Sequence, residues 1–273
     1  MSMTKRDLLG AMAVAMAGGQ LAATATATEA ARQPDHDMAG MPASWHGSEK
    51  IAFLAYPEFT SLDLVGPHYM LGSLMGATTM IVARTREPVV SDMKLAILPT
   101  HTFAECPADL DIICVPGGST GTLAAMQDAE TIAFLKDRGA RAKYVTSVCT
   151  GSLVLGAAGL LDGYKATSHW VTRHLLAEFG AEPVDKRVVI DRNRITGAGV
   201  TAGLDMGLHM LGQLRDPLYA QSVQLLAEYA PEPPYTAGTP ASAPVEARTM
   251  MAGMFTGLVA DMRDTARRIR GQR

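Results

Sequence analysis

Apolar and polar positions alternate in blocks along residues 50–230. Short apolar runs of strand length recur at 51–56 (IAFLAY), 78–84 (TTMIVAR), 110–118 (LDIICVPGG) and 144–148 (YVTSV). Between them lie segments with helical spacing. Residues 62–74 form one, with Pro67 marking its expected start. Residues 129–142 form an amphipathic second, and 150–158 a third built of small side chains. Residues 89–103 read as one or two short strands with turns. Residues 187–199 read as a hairpin turning at Asp191-Arg192-Asn193, and 200–214 and 220–230 as helices. Strands that are apolar on both faces and alternate with helices predict a mostly parallel sheet with helices on both faces. Right-handed crossovers put the loops after those strands on one carboxyl edge. Gly117-Gly118 follows one such strand and Cys149 another, so these two loops are expected to converge.

The ends of the chain break this pattern. Residues 231–244 (PEPPYTAGTPASAP) form a proline-rich extended arm. Residues 245–273 are predicted as one long helix with a Met-rich apolar face, a packing surface against this chain or a second copy. Residues 1–30 have a basic start, a mildly apolar middle and small residues at the end, the build of an export signal. The TKRDLL run resembles a twin-arginine signal with Lys5 in the first arginine position, so a periplasmic location is expected. The segment is too short and too poor in large apolar residues for a stable membrane span. Residues 31–49 are polar and aperiodic and read as a flexible linker. The linker holds His36, Met38, Met41 and His46. These donor types suit copper, but a plain spacer that happens to contain them is the reading taken, and no metal is assigned.

Composition narrows the class. A chain of 273 residues with a formal net charge of -3 carries one medium α/β domain plus extensions. Its charge is too mixed and too near zero for a nucleic-acid binder. The three cysteines, Cys106, Cys114 and Cys149, form no C-x-x-C pair, and no histidine stands at zinc-ligand spacing. Cys114 lies inside an apolar run and reads as packing, while Cys106 before Pro107 has no assigned role.

Cys149 has a different setting. It ends a strand and opens a small-residue helix, the strand–turn–helix arrangement of a nucleophile elbow. The helix N-terminus is expected to favour the thiolate and lower the thiol pKa. The Thr150 N–H, with one from the Gly117-Gly118-Ser119 loop, is placed to stabilise developing negative charge or position a water. A nucleophile needs a proton partner. Asp63 lies just past the first strand, on the same predicted edge, in an apolar stretch where burial raises a carboxyl pKa. That makes it a candidate general acid, although its position ahead of Pro67 also suits a helix cap. His169 in ATSHW is either an accessory group or a packed core histidine. Asp205 is read as satisfying backbone or loop groups.

Several pieces, in order, resemble the ThiJ/PfpI family of the class I glutamine amidotransferase-like superfamily. They are YPEF (56–59), LDLVGPH (62–68), ICVPGG (113–118), 144–170, ITGAGVTAGLDMGL (195–208) and LLAEYAPEPPYTAGTP (225–240). Within that family the chain looks most like the branch that hydrates isonitriles. The resemblance implies a flavodoxin-like three-layer sandwich, usually dimeric, with a small-molecule substrate and no cofactor or metal. It implies Cys149 as nucleophile and Asp63 as carboxyl partner, with Thr150 where other branches have histidine. The expected chemistry is addition of water to an isocyanide through a Cys149 thioimidate, giving an N-substituted formamide. The alternatives are a glyoxalase- or deglycase-like activity on small aldehydes, or a non-catalytic cysteine-based redox or ligand sensor. The N-terminal extension departs from the hydratase branch.

Overall fold

The computed structural model describes residues 40–272, and Pro42–Arg273 forms one compact unit. The expected export signal, and His36 and Met38 of the linker, lie outside the described residues.

A seven-stranded sheet forms the middle layer. Its strands, in spatial order, are β10 (Val188–Asp191), β11 (Arg194–Gly197), β7 (Tyr144–Val148), β6 (Ile112–Val115), β1 (Lys50–Leu54), β2 (Thr78–Ala83) and β5 (His101–Thr102). Every neighbouring pair is parallel except the β10–β11 hairpin. The hairpin turns through Arg192, which has φ of 55°. β1, β6 and β7 are almost wholly buried, as their apolar runs require of a sheet covered on both faces. Two small pairs lie outside the sheet: β3 (Val89–Val90) with β4 (Ala96–Ile97), and β8 (Lys165–Ala166) with β9 (Glu182–Pro183).

The helices are α1 (Ser61–Gly72), α2 (Thr120–Gln127), α3 (Ala129–Arg141), α4 (Gly151–Ala157), α5 (Ala202–Leu214), α6 (Pro217–Leu226), α7 (Val245–Met254) and α8 (Thr256–Gly271). A 3₁₀ segment spans Arg173–Phe179. The mostly parallel sheet with flanking helices is the expected flavodoxin-like arrangement.

Four features differ from the sequence reading. First, α1 starts at Ser61, and Pro67 lies inside it. The Thr60 N–H donates to Gly117 O at 2.8 Å, which fixes the chain at the sheet edge and lets the helix start six residues ahead of Pro67. α1 then packs closely on α5: a Cβ at Gly203 would stand 2.7 Å from Pro67 Cδ, and one at Gly207 would collide with the Met70 side chain. Second, α2 was not expected; its small residues carry no amphipathic signal. Third, the single C-terminal helix is two, broken at Phe255. α8 buries Met262, Thr265 and Ala266, whereas α7 buries no residue. Fourth, the last part of the expected linker is packed. Trp45 is 6% exposed, donates from Nε1 to Asp216 at 2.8 Å and meets Tyr219 edge-on at 4.9 Å. Glu49 accepts both arms of Arg215.

Candidate active site

Cys149 follows the last residue of β7 and precedes α4. Its φ is 58°, a left-handed conformation that L-residues other than glycine rarely adopt. Holding a cysteine there costs on the order of 1–2 kcal/mol. Several bonds maintain the turn. The Cys149 N–H donates to Gly197 O at 3.0 Å, and its carbonyl accepts from Ser152 Oγ at 3.2 Å and Ser168 Oγ at 3.0 Å. Gly151 lets α4 begin against the sheet: a Cβ there would meet the backbone carbonyls of Val115 and Pro116. The strand–turn–helix junction read from the sequence is present in this geometry.

Asp63 sits in the first turn of α1 and is fully buried. Its Oδ2 accepts the Gly117 N–H at 3.0 Å. Its Oδ1 is buried and accepts no hydrogen bond of ordinary geometry. The neighbouring group that enters its proton balance is the Cys149 thiol. Burial pushes the Asp63 carboxyl up to about 8, opposed by the Gly117 N–H and the thiol and assisted by the Asp92 carboxylate. Asp63 is therefore not a helix cap: Thr60 holds that position.

The thiol departs from expectation. Burial, and then the adjacent Asp63 carboxyl, push Cys149 well above an ordinary cysteine. The Thr150 N–H and side chain oppose this and are outweighed. One helix end does not compensate for removing a thiolate from water beside a carboxylate. Two mutually perturbed acids in one dry site titrate as a pair. The arrangement is suited to holding one proton between sulfur and carboxyl.

Thr150 serves the loop as well as the thiol. Its Oγ1 accepts the Gly118 N–H at 2.9 Å and donates to Gly118 O at 2.7 Å. Gly118 N–H is thus already engaged, which removes it as a donor to a developing anion. Ser119 precedes α2, where its carbonyl accepts the Leu123 N–H at 3.3 Å; no hydrogen bond joins it to Cys149 or Asp63 among the described residues. The Thr150 N–H is the one member of the expected trio that acts on the sulfur. Gly117, rather than Gly118, orients the carboxyl. It has to be glycine: a Cβ there would lie 2.6 Å from Thr150 N and 2.9 Å from Asp63 Oδ2.

His169 is half-buried, 5.9 Å from the Trp170 ring and 6.1 Å from Phe255. Burial holds it below the usual histidine value. No hydrogen bond joins it to Cys149 or Asp63 among the described residues. Asp205 accepts from Arg187 and from Tyr229 Oη, as expected of a residue that satisfies loop groups. Ser168, one residue before His169, was missed; its Oγ holds the Cys149 carbonyl. Cys106 and Cys114 are free and buried, and burial pushes the Cys114 thiol up to about 12. Among the described residues no cluster of three or more His, Cys, Asp or Glu side chains is arranged to hold a metal ion.

Residues 49–213 match the DJ-1/PfpI family model. The chain is 49% identical over 195 residues to the isonitrile hydratase of Pseudomonas putida, covering 71% of this chain and 85% of that protein. It is 33% identical over 184 residues to the HTH-type transcriptional regulator GbdR of Pseudomonas aeruginosa, covering 64% of this chain and 49% of the regulator. Among solved structures, a ThiJ/PfpI family protein from Pseudomonas syringae superposes with a TM-score of 0.82 at 57% identity, covering 86% of this chain and 97% of the other. With the strained Cys149 turn and the buried Asp63 beside it, these matches establish that the chain belongs to the DJ-1/PfpI family.

Proposed function

We propose that this chain is an isonitrile hydratase acting through Cys149 and Asp63. The observation that carries the reading is the Asp63 carboxyl: buried, anchored on one oxygen by the Gly117 N–H, next to the Cys149 thiol, and raised to about 8 beside that strained cysteine. The 49% identity to an isonitrile hydratase supports the substrate class.

The terminal carbon of R–N≡C accepts the sulfur of Cys149, and the proton shared with Asp63 passes to that carbon. This forms the C–S and C–H bonds of a thioimidate and leaves Asp63 as a carboxylate. Water then adds to the same carbon while Asp63 takes one of its protons and passes it to the nitrogen. The tetrahedral adduct collapses: the C–S bond breaks, the remaining hydroxyl proton returns to the Cys149–Asp63 pair, and R–NH–CHO leaves. One proton is borrowed and returned, and the sum is R–N≡C plus water. Covalent catalysis divides one difficult hydration into two easier steps. The Thr150 N–H stabilises charge on sulfur during attack and departure.

The test is formamide production from cyclohexyl isocyanide by the full chain, Cys149→Ala and Asp63→Asn. Turnover by the unmodified chain, lost at least a hundredfold in each variant, supports the assignment. No turnover by the unmodified chain overturns it.

The same reading includes a homodimer, and residues 1–30 as a twin-arginine-like export signal delivering the enzyme to the periplasm.

A further inference from the structure

A cavity of about 610 Å³ opens beside the carboxyl ends of β1 and β2, and neither Cys149 nor Asp63 lines it. Its floor is apolar, from Ala55, Ala83, Val89 and Ala125. The two cations at its rim already face carboxylates: Arg84 pairs with Asp128 and Glu130, and Lys94 with Glu58. Each lining cation thus has a carboxylate beside it, and the volume is that of an ordinary small-molecule site.

The cavity and the nucleophile turn share a wall. Pro57 and Glu58 line the cavity, and Glu58 has φ of 60°. The Glu58 carbonyl comes so near the next loop that a Cβ at Gly118 would lie 2.6 Å from it. Phe59 bridges Gly118, and the Thr60 N–H holds Gly117 O. Gly117 in turn orients Asp63. A second connection runs through hydroxyls. Tyr56, also a lining residue, donates from Oη to Pro116 O at 2.7 Å and lies 3.1 Å from Thr122 Oγ1. Thr122 Oγ1 lies 2.8 Å from Thr150 Oγ1. All three side chains are buried.

We propose that this cavity is a second ligand site, taking a neutral, mostly apolar small molecule, and that the Tyr56–Thr122–Thr150 hydroxyls report its occupancy to Cys149. A ligand that moves Tyr56 moves the oxygen that Thr150 depends on, and with it the loop that orients Asp63. Binding and thiol reactivity are then linked reciprocally. The inference does not depend on hydratase chemistry.

The test uses 1-hexanol as probe and the rate of iodoacetamide alkylation of Cys149, followed by mass spectrometry of its peptide. Saturable binding by the full chain, with an alkylation rate changed about fivefold or more, is expected. Ala124→Trp fills the cavity from an exposed lining position and is expected to abolish both binding and response. Thr122→Val is expected to keep binding and lose the response, with Thr122→Ser restoring it. Absence of saturable binding, or binding unaffected by Ala124→Trp, overturns the site. A full response in Thr122→Val overturns the hydroxyl connection.

Discussion

Cys149 and Asp63 hold their protons jointly, and that fixes the pH behaviour of the site. Both groups are raised, so at low pH the pair carries two protons and at about pH 8 it loses the first. In the proposed mechanism the singly protonated pair is the reactive form, so kcat/KM for isonitrile hydration is expected to rise with pH through about 8. The limb belongs to the pair, and Asp63→Asn abolishes or displaces it; a flat profile between pH 6 and 9 contradicts the mechanism. Stability moves the other way. The Asp63 pKa is raised in the folded protein, from 3.8 to about 8, so the fold retains this proton more tightly than the unfolded chain. Its contribution is full below about pH 4 and is lost as pH rises through about 8. Urea denaturation is expected to show Asp63→Asn gaining stability relative to the parent over that window, by a few kcal/mol in order of magnitude. That Cys149 and Asp63 lie together was legible in the sequence, because each follows a short apolar strand and the loops of parallel strands share one edge. The direction of the thiol shift was not. It depends on burial contributed by distant segments, which a local helix-end argument omits.

At the scale of elements, glycines decide whether the site closes. Gly151→Ala drives a Cβ into the carbonyls of Val115 and Pro116, backbone atoms that cannot rotate away. A loss of about 2–3 kcal/mol is expected, read calorimetrically as a Tm lower by roughly 4–12 °C. Trp45→Ala removes a buried ring and an indole donor from the Tyr219–Asp216 corner, with an expected loss of about 3–5 kcal/mol. If residues 42–49 were a loose spacer, the denaturation midpoint would not move. The strands were readable because runs such as 51–56 and 144–148 have no polar face. The start of α1 was not, since Pro67 is a strong local signal and the bond that starts the helix earlier reaches across to Gly117. α2 escaped for lack of periodicity. The break at Phe255 was signalled only by Gly253 and Gly257, which a long helix can tolerate; Phe255 sits where its ring meets His169.

At the scale of the whole molecule, the C-terminal region is incompletely covered. α7 buries nothing, and Val245, Met250 and Met254 are among the large apolar residues left exposed. A short helix with no packed face is marginal alone, and the proposed homodimer supplies the missing surface. Light scattering is expected to give twice the chain mass, and Met250→Glu with Met254→Glu to return the monomer. A monomeric parent contradicts the dimer. Expressed with its first thirty residues in a host whose twin-arginine translocon can be disabled, the protein is expected in the periplasmic fraction only when the translocon works. The α1–α5 contact has a genetic consequence. Gly207 lies across from Met70, and Gly203 from Pro67, on the helix that carries Asp63. Any larger side chain at Gly207 pushes α1 outward and draws the carboxyl away from the thiol. A random screen for inactive clones would therefore return Gly207 beside Cys149, and a geneticist without the structure would count it as a reacting group.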